Sequence, residues 1–327
     1  MAKFSIEDSR VDIGAAWERK LELPKCVLPG LFHGLVGGLY ADSDVGKTWI
    51  ALQTAVQVAA DDTVNLLNME SSHNGKVLYI SGEDPMAQLH NRTNAILSAL
   101  RGRKDSARLR KQIETNLVLV SKMADDLNIM DVEFFNDLVA AGKGCELIIL
   151  DTLRKFHHED ENKNSAMIPV MRQINLLAQA TGAAVIYAHH VTKAAQRDGA
   201  TDQTNSHSGA GAIRTEAKYG ANLSIMTESE GRGLTEIRGG ATINKSQLTD
   251  FVKFTTTKGN YGKKPAPSWF KRADDGRLVP ITLFASLNPN KRGRGQDSAL
   301  PATPQESLPN KVVGTIGVKP TRRKSDD

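Results

Sequence analysis

Gly46, Lys47 and Thr48 close the stretch 38–48 (GLYADSDVGKT). An apolar run at Leu35, Val36 and Leu39 leads into it, and residues 49–56 behind it read as the start of a buried helix. Strand, glycine-containing loop, Lys-Thr and helix is the order in which a chain builds a cradle for phosphate. Backbone N–H groups of such a loop point inward at an anion, and the helix N-terminus adds partial positive charge. Asp44, Val45, Gly46, Lys47, Thr48 and Trp49 are the expected nucleotide contacts. Lys47 would reach the β- and γ-phosphates, and the Thr48 hydroxyl would take a place on Mg²⁺. One position departs from GxxxxGK[ST], because Ala41 stands where the first glycine is usual. Alanine costs little there at negative φ and is strained if φ must be positive.

A phosphate cradle needs partners at the ends of neighbouring strands, since ligands of open α/β sheets sit in the crevice outside those ends. Three candidates occur. Residues 147–151 (LIILD) form an apolar run ending in Asp151, a carboxylate suited to hold Mg²⁺, with Thr152 next to it to help fix it. Residues 76–81 (KVLYIS) run into Gly82-Glu83-Asp84, where Glu83 can polarise an attacking water. Asp84-Pro85 then reads as the N-cap and first turn of a helix, and the reading in which both acids only cap stays open. Residues 183–188 (AAVIYA) run into His189-His190. Neighbouring side chains leave a strand on opposite faces, which argues against a metal pair and leaves one histidine to contact phosphate or water.

The elements that must carry these groups alternate along the chain. Strands are expected at 76–81, 116–121, 147–151 and 183–188, and helices at 86–100, 132–141 and 168–180. Continuous apolar strands alternating with helices specify an α/β fold with a mostly parallel central sheet flanked by helices. The stretch 193–211 is polar, glycine-rich and without periodicity, hence a long loop. Short strands at 221–227, 234–237, 251–257, 268–271 and 279–284 then read as an antiparallel C-terminal extension. Three regions result: an N-terminal segment 1–25, a core 26–287, and a basic tail 288–327 poor in large apolar residues and expected to be disordered.

At 327 residues the chain can bury a full core. The net charge of +5 is concentrated in 291–324, where the acids thin to Asp297 and Glu306. Such a tail suits non-specific phosphate contact, solubility or the docking of a partner. The two cysteines, Cys26 and Cys145, lie far apart without metal spacing, which fits a reduced, cytoplasmic protein. There is neither an apolar run long enough to cross a bilayer nor a signal-peptide core, so no membrane partner is expected.

The segments VLPGLFHGLVGGLYADSDVGKT, VLYISGEDP, LIILDTLRKFHHEDEN, AVIYAHHVTK and KGNYGKKPAPSWFKR, in that order, resemble the RepA-type hexameric replicative DNA helicases of broad-host-range plasmids, a branch of the RecA-like ATPases. The resemblance runs from about Cys26 to Arg272. It implies a RecA-like P-loop core assembled as a ring, with ATP and Mg²⁺ bound between subunits and single-stranded DNA threaded through the centre. The N-terminal segment is then a possible inter-subunit arm, and the tail a dock for other replication or recombination proteins. Carried onto this chain, Lys47 and Thr48 hold phosphate and Mg²⁺, Glu83 is the catalytic carboxylate and Asp151 the metal-side aspartate. His190, rather than His189, senses the γ-phosphate, and Arg92 is a supporting residue. The family's trans-acting arginine position is occupied by Ser208, which leaves Arg214, Lys218 or Lys258 to supply a cation across the interface. Lys193 and Arg197 on the long loop are the DNA-binding candidates. A RecA-like DNA-binding, loading or recombination-regulatory ATPase that does not unwind DNA remains the alternative.

Overall fold

The computed structural model describes residues 10–21, 26–69, 74–191, 211–259, 261 and 264–287. Residues 192–210, which hold Lys193, Arg197 and Ser208 of the long loop, and the tail 288–327 lie outside the described residues.

A short helix α1 (Ile13–Glu18) precedes a small hairpin of β1 (Cys26–Leu28) and β2 (Leu31–Phe32). The core alternates β3 (Val36–Ala41), α2 (Lys47–Ala59), β4 (Lys76–Ser81), α3 (Met86–Arg101), α4 (Ser106–Asn116), β5 (Leu117–Ser121), α5 (Val132–Gly142), β6 (Cys145–Asp151), α6 (Asn164–Thr181) and β7 (Ala184–His190). After the long loop come α7 (Gly211–Thr215), β8 (Tyr219–Ile225), α8 (Glu228–Gly233), β9 (Leu234–Thr235), β10 (Phe251–Gly259), β11 (Ser268–Arg272), β12 (Leu278–Ile281) and β13 (Phe284–Ala285).

Nine strands form one sheet in the order β12-β11-β10-β8-β3-β7-β6-β4-β5. Pairing is parallel from β8 through β5, and antiparallel from β8 to β12. The sequence reading put residues 221–227 wholly in the antiparallel extension. Instead β8 pairs parallel with β3, and the antiparallel part begins at β10. β8 contributes Ala221 and Leu223 to the same core as Leu39, so its inner face continues the parallel sheet.

Because side chains alternate along a strand, each parallel strand feeds two cores. Val77, Tyr79, Leu147, Ile149, Ala184 and Ile186 pack with α2, α3 and α4. Leu78, Ile80, Ile148, Leu150, Val185 and Tyr187 pack with α5, α6 and α7. That same parity decides where the strand-end groups go. Asp151 and His190 fall in step with the α2 side, and His189 falls on the other.

Candidate active site

The strands β3, β7, β6 and β4 are consecutive neighbours in the sheet and run parallel, so their C-terminal ends share one edge. The loop after β3 turns directly into α2, whose first residue is Lys47. Ala41 is the last residue of β3, is fully buried and is absent from the positive-φ positions. An alanine there is unstrained, and the usual glycine is dispensable. Positive φ falls instead at Asp44 (62°) and at Gly46 (119°). Aspartate tolerates the left-handed region better than most residues. Gly46 has no such latitude to give, since a Cβ built on it would also lie 2.8 Å from Leu278 Cδ1.

Lys47 is buried, and its Nζ donates to the carbonyls of Ala41 at 2.9 Å and Asp42 at 2.8 Å. A third contact, 3.1 Å, runs to His190 Nδ1. An ammonium can only donate, so Nδ1 accepts and the imidazole proton sits on Nε2. Nε2 faces Glu83 Oε2 at 3.8 Å. The other carboxylate oxygen, Glu83 Oε1, accepts from the Thr152 hydroxyl at 2.8 Å. Lys47, His190 and Glu83 therefore form one continuous chain of polar contacts. Thr152, expected beside Asp151, holds Glu83 instead.

The electrostatics follow from burial and these contacts. Burial pushes the Lys47 ammonium down to about 8, against the pull of Asp151, Glu83, Asp42 and Asp44. The His190 ring 3.8 Å away, with the Thr152 hydrogen bond assisting, holds Glu83 below the usual carboxylate range even though burial opposes it. Glu83 is partly exposed in its side chain and stays ionised, so it can accept a proton from a water at the sheet edge.

Asp151 is 2% exposed, and burial raises its carboxyl. Tyr79 donates its hydroxyl to Oδ2, and the nearby Thr48 side chain also favours the ionised carboxylate. Oδ1 has no partner among the described residues. A buried carboxylate oxygen without a donor is costly, and a hard cation satisfies it. Magnesium typically takes one or two carboxylates and completes its shell with water and substrate phosphate oxygens. The unpartnered Asp151 Oδ1, with Thr48 near the same carboxylate, fits that demand.

Around this centre several expectations are revised. Asp84 is not the N-cap of α3. Pro85 holds that position without a side-chain bond, while the Asp84 carboxylate pairs with Arg92. Arg92 also lies 5.9 Å over the Trp49 ring, so it braces the residue after the cradle. His189, on the opposite face, is buried near Glu161, and its pKa is lowered to about 4 by burial.

The trans cations fare unequally. Arg214 is 9% exposed, with its guanidinium 3.9 Å over the Tyr40 ring, so it is engaged within its own subunit. Lys258 Nζ is committed to the carbonyls of Arg214 and Thr215 at the end of α7. Lys218 remains exposed. Tyr79 escaped the sequence reading, although a phenol amid the aliphatic strand KVLYIS was a signal that one polar end needed a buried partner.

The described geometry can be set beside known proteins. The family model described as an AAA domain matches residues 7–196. Among solved structures, the chain is similar to an ATPase domain at 15% identity over 86% of this chain and 100% of that one, with a TM-score of 0.57. It is also similar to a KaiC-like protein, PH0186, from the hyperthermophilic archaeon Pyrococcus horikoshii OT3 (13% identity, 78% and 94% covered, TM-score 0.49). A third likeness is to the RadB recombinase (13% identity, 75% and 90% covered, TM-score 0.44). The first of these likenesses shows the fold, a RecA-like P-loop core with a mostly parallel sheet.

Proposed function

The chain belongs to the AAA domain family, and we propose that it is a Mg²⁺-dependent ATPase that, as the sequence resemblance implies, assembles as a ring and translocates on single-stranded DNA in the service of plasmid or mobile-element replication. The observation that carries the ATPase reading is the convergence of Lys47, Glu83, Asp151 and His190 at the ends of four adjacent strands. The loop N–H groups and Lys47 would hold the phosphates, with Thr48 and Asp151 holding Mg²⁺. The metal, when bound, neutralises charge on the phosphate oxygens. Glu83 would accept the proton of the attacking water, and Thr152 fixes the direction of that carboxylate. His190 touches both Lys47 and Glu83, so it is placed to register the departure of a phosphate from either one.

Assembly is supported at the other end of the chain. Helix α1 buries none of its residues, and Ile13 and Trp17 are 72% and 91% exposed. Contiguous exposed apolar residues of that size mark a surface made to be covered. They fit the reading of the N-terminal segment as an inter-subunit arm. The DNA step leans on the sequence resemblance alone, since Lys193 and Arg197 lie outside the described residues.

The test pairs two assays. ATP turnover with and without single-stranded DNA, alongside ATP-dependent strand release from forked duplex, should give DNA-stimulated hydrolysis and unwinding. Lys47→Ala should lose both while remaining folded. Stimulation without strand release would move the protein to the loading or recombination-regulatory class, and undiminished turnover in Lys47→Ala would remove the site itself.

A further inference from the structure

The β11–β12 hairpin, which the ATPase reading does not use, is fastened to the phosphate cradle. Arg272 ends β11, and its Nη2 donates to the backbone carbonyls of Asp44 at 3.1 Å and Val45 at 3.0 Å. Its cross-strand partner Leu278 lies against Gly46. Leu278 is in turn held by both ends of one amide, with Gln53 Nε2 donating to its carbonyl at 2.8 Å and its N–H donating to Gln53 Oε1 at 3.0 Å. Gln53 belongs to α2, the helix that begins at Lys47. In the hairpin's turn, Gly276 packs so closely on Trp49 that an added Cβ would sit 2.6 Å from its ring. The hairpin is thus tied to the loop, to the helix behind the loop and to the residue following it.

A planar trans peptide points its C=O and N–H in opposite directions. The Asp44 carbonyl shares a peptide with the Val45 N–H, and the Val45 carbonyl shares one with the Gly46 N–H. When Arg272 draws those two carbonyls outward, it turns the two N–H groups into the cradle. Among the described residues neither N–H donates to another protein group. The segment needs such help, because it carries positive φ at Asp44 and Gly46, a conformation that a free loop has little reason to keep.

The geometry points to Arg272 as a positioning residue in cis: it pre-orients the Val45 and Gly46 amides for the terminal phosphates of a nucleoside di- or triphosphate. The inference rests on the P-loop reading and deepens it. A guanidinium that aims donors before the ligand arrives contributes to ground state and transition state alike, so its loss weakens binding more than it slows the chemical step.

The test is titration of the full chain with MgADP, together with KM and kcat for ATP, for wild type, Arg272→Ala, Arg272→Lys and Lys47→Ala. Removing two charge-assisted bonds to the loop should weaken MgADP about tenfold or more and raise KM in step, with kcat changed by less than about threefold. Arg272→Lys keeps a cation that can reach both carbonyls and should recover most of the affinity. It also serves if the alanine variant does not fold. A fall in kcat at unchanged KM would overturn the inference, as it would place Arg272 on the reacting phosphate. A drop in melting temperature with KM unchanged would overturn it too, by making the hairpin a structural brace only. If Lys47→Ala binds MgADP like wild type, the P-loop reading fails. If that variant loses binding while Arg272→Ala keeps it, only the role of Arg272 fails.

Discussion

The depressed Lys47 ammonium makes nucleotide affinity depend on pH in a window where most other groups are silent. In the empty protein its pKa is lowered from 10.5 to about 8, with burial the largest cause. Phosphate favours the charged form, so binding selects protonated Lys47 and raises its pKa again. The observed association constant then scales with the protonated fraction of the empty site. That fraction is about 0.9 at pH 7 and about 0.1 at pH 9, a loss of about tenfold, or about 1.4 kcal/mol. Stability of the empty fold runs the other way. A lysine whose folded pKa lies below its unfolded value binds fewer protons when folded, so this contribution to stability rises between about 8 and 10.5. Isothermal titration of MgADP at pH 7, 8 and 9 and constant ionic strength measures the first effect, since ADP binds without turnover and its phosphates are fully ionised from pH 8 upward. Lys47→Arg is the control, because a guanidinium keeps its charge throughout. Affinity that stays level to pH 9 in the wild type, or falls equally in Lys47→Arg, refutes the argument that buried Lys47 sets the charge of the cradle.

Much of this site could be read in the sequence because strand ends are easy to find. KVLYIS, LIILD and AAVIYA are apolar runs that stop at a charged or polar residue, and period-two alternation then fixes which of His189 and His190 shares a face with Asp151. What the sequence hid depends on contacts between distant segments. Nothing in SWFKR shows that Arg272 reaches carbonyls at Asp44 and Val45, because that contact joins residues more than two hundred positions apart through the order of the sheet. Arg214 looked like an available cation, yet the Tyr40 ring beneath it belongs to β3, and the β3–β8 pairing sets Tyr40 opposite Asn222, which Arg214 also contacts. Helix α4 was missed for a different reason. SARLRKQIETN buries only Leu109 and Ile113, one short apolar stripe among charges, too little to register as amphipathic. The hybrid nature of β8, parallel to β3 and antiparallel to β10, could not be read from strand patterns, which report burial and not direction.

Two further perturbations separate chemistry from assembly. Glu83→Gln keeps the Thr152 contact but removes the proton acceptor, so turnover should fall about 10²- to 10⁴-fold while MgADP affinity holds, read by steady-state kinetics and titration. Equal loss of binding and turnover would make Glu83 a structural partner of His190. The arm reading is tested at Trp17. Its indole is 91% exposed and shares no core with the P-loop elements, since α1 contributes nothing to either hydrophobic cluster beside the sheet. Trp17→Asp should therefore leave the melting temperature of the core within about 1–2 °C, because surface changes away from packed features cost little. If α1 covers a neighbouring copy, the same substitution should place a charge in an apolar contact and shift the mass measured by light scattering toward the monomer. A wild-type chain that is monomeric with and without ATP and Mg²⁺ sinks the arm and the ring together. An assembly that survives Trp17→Asp unchanged leaves a ring held by other surfaces and removes α1 from it.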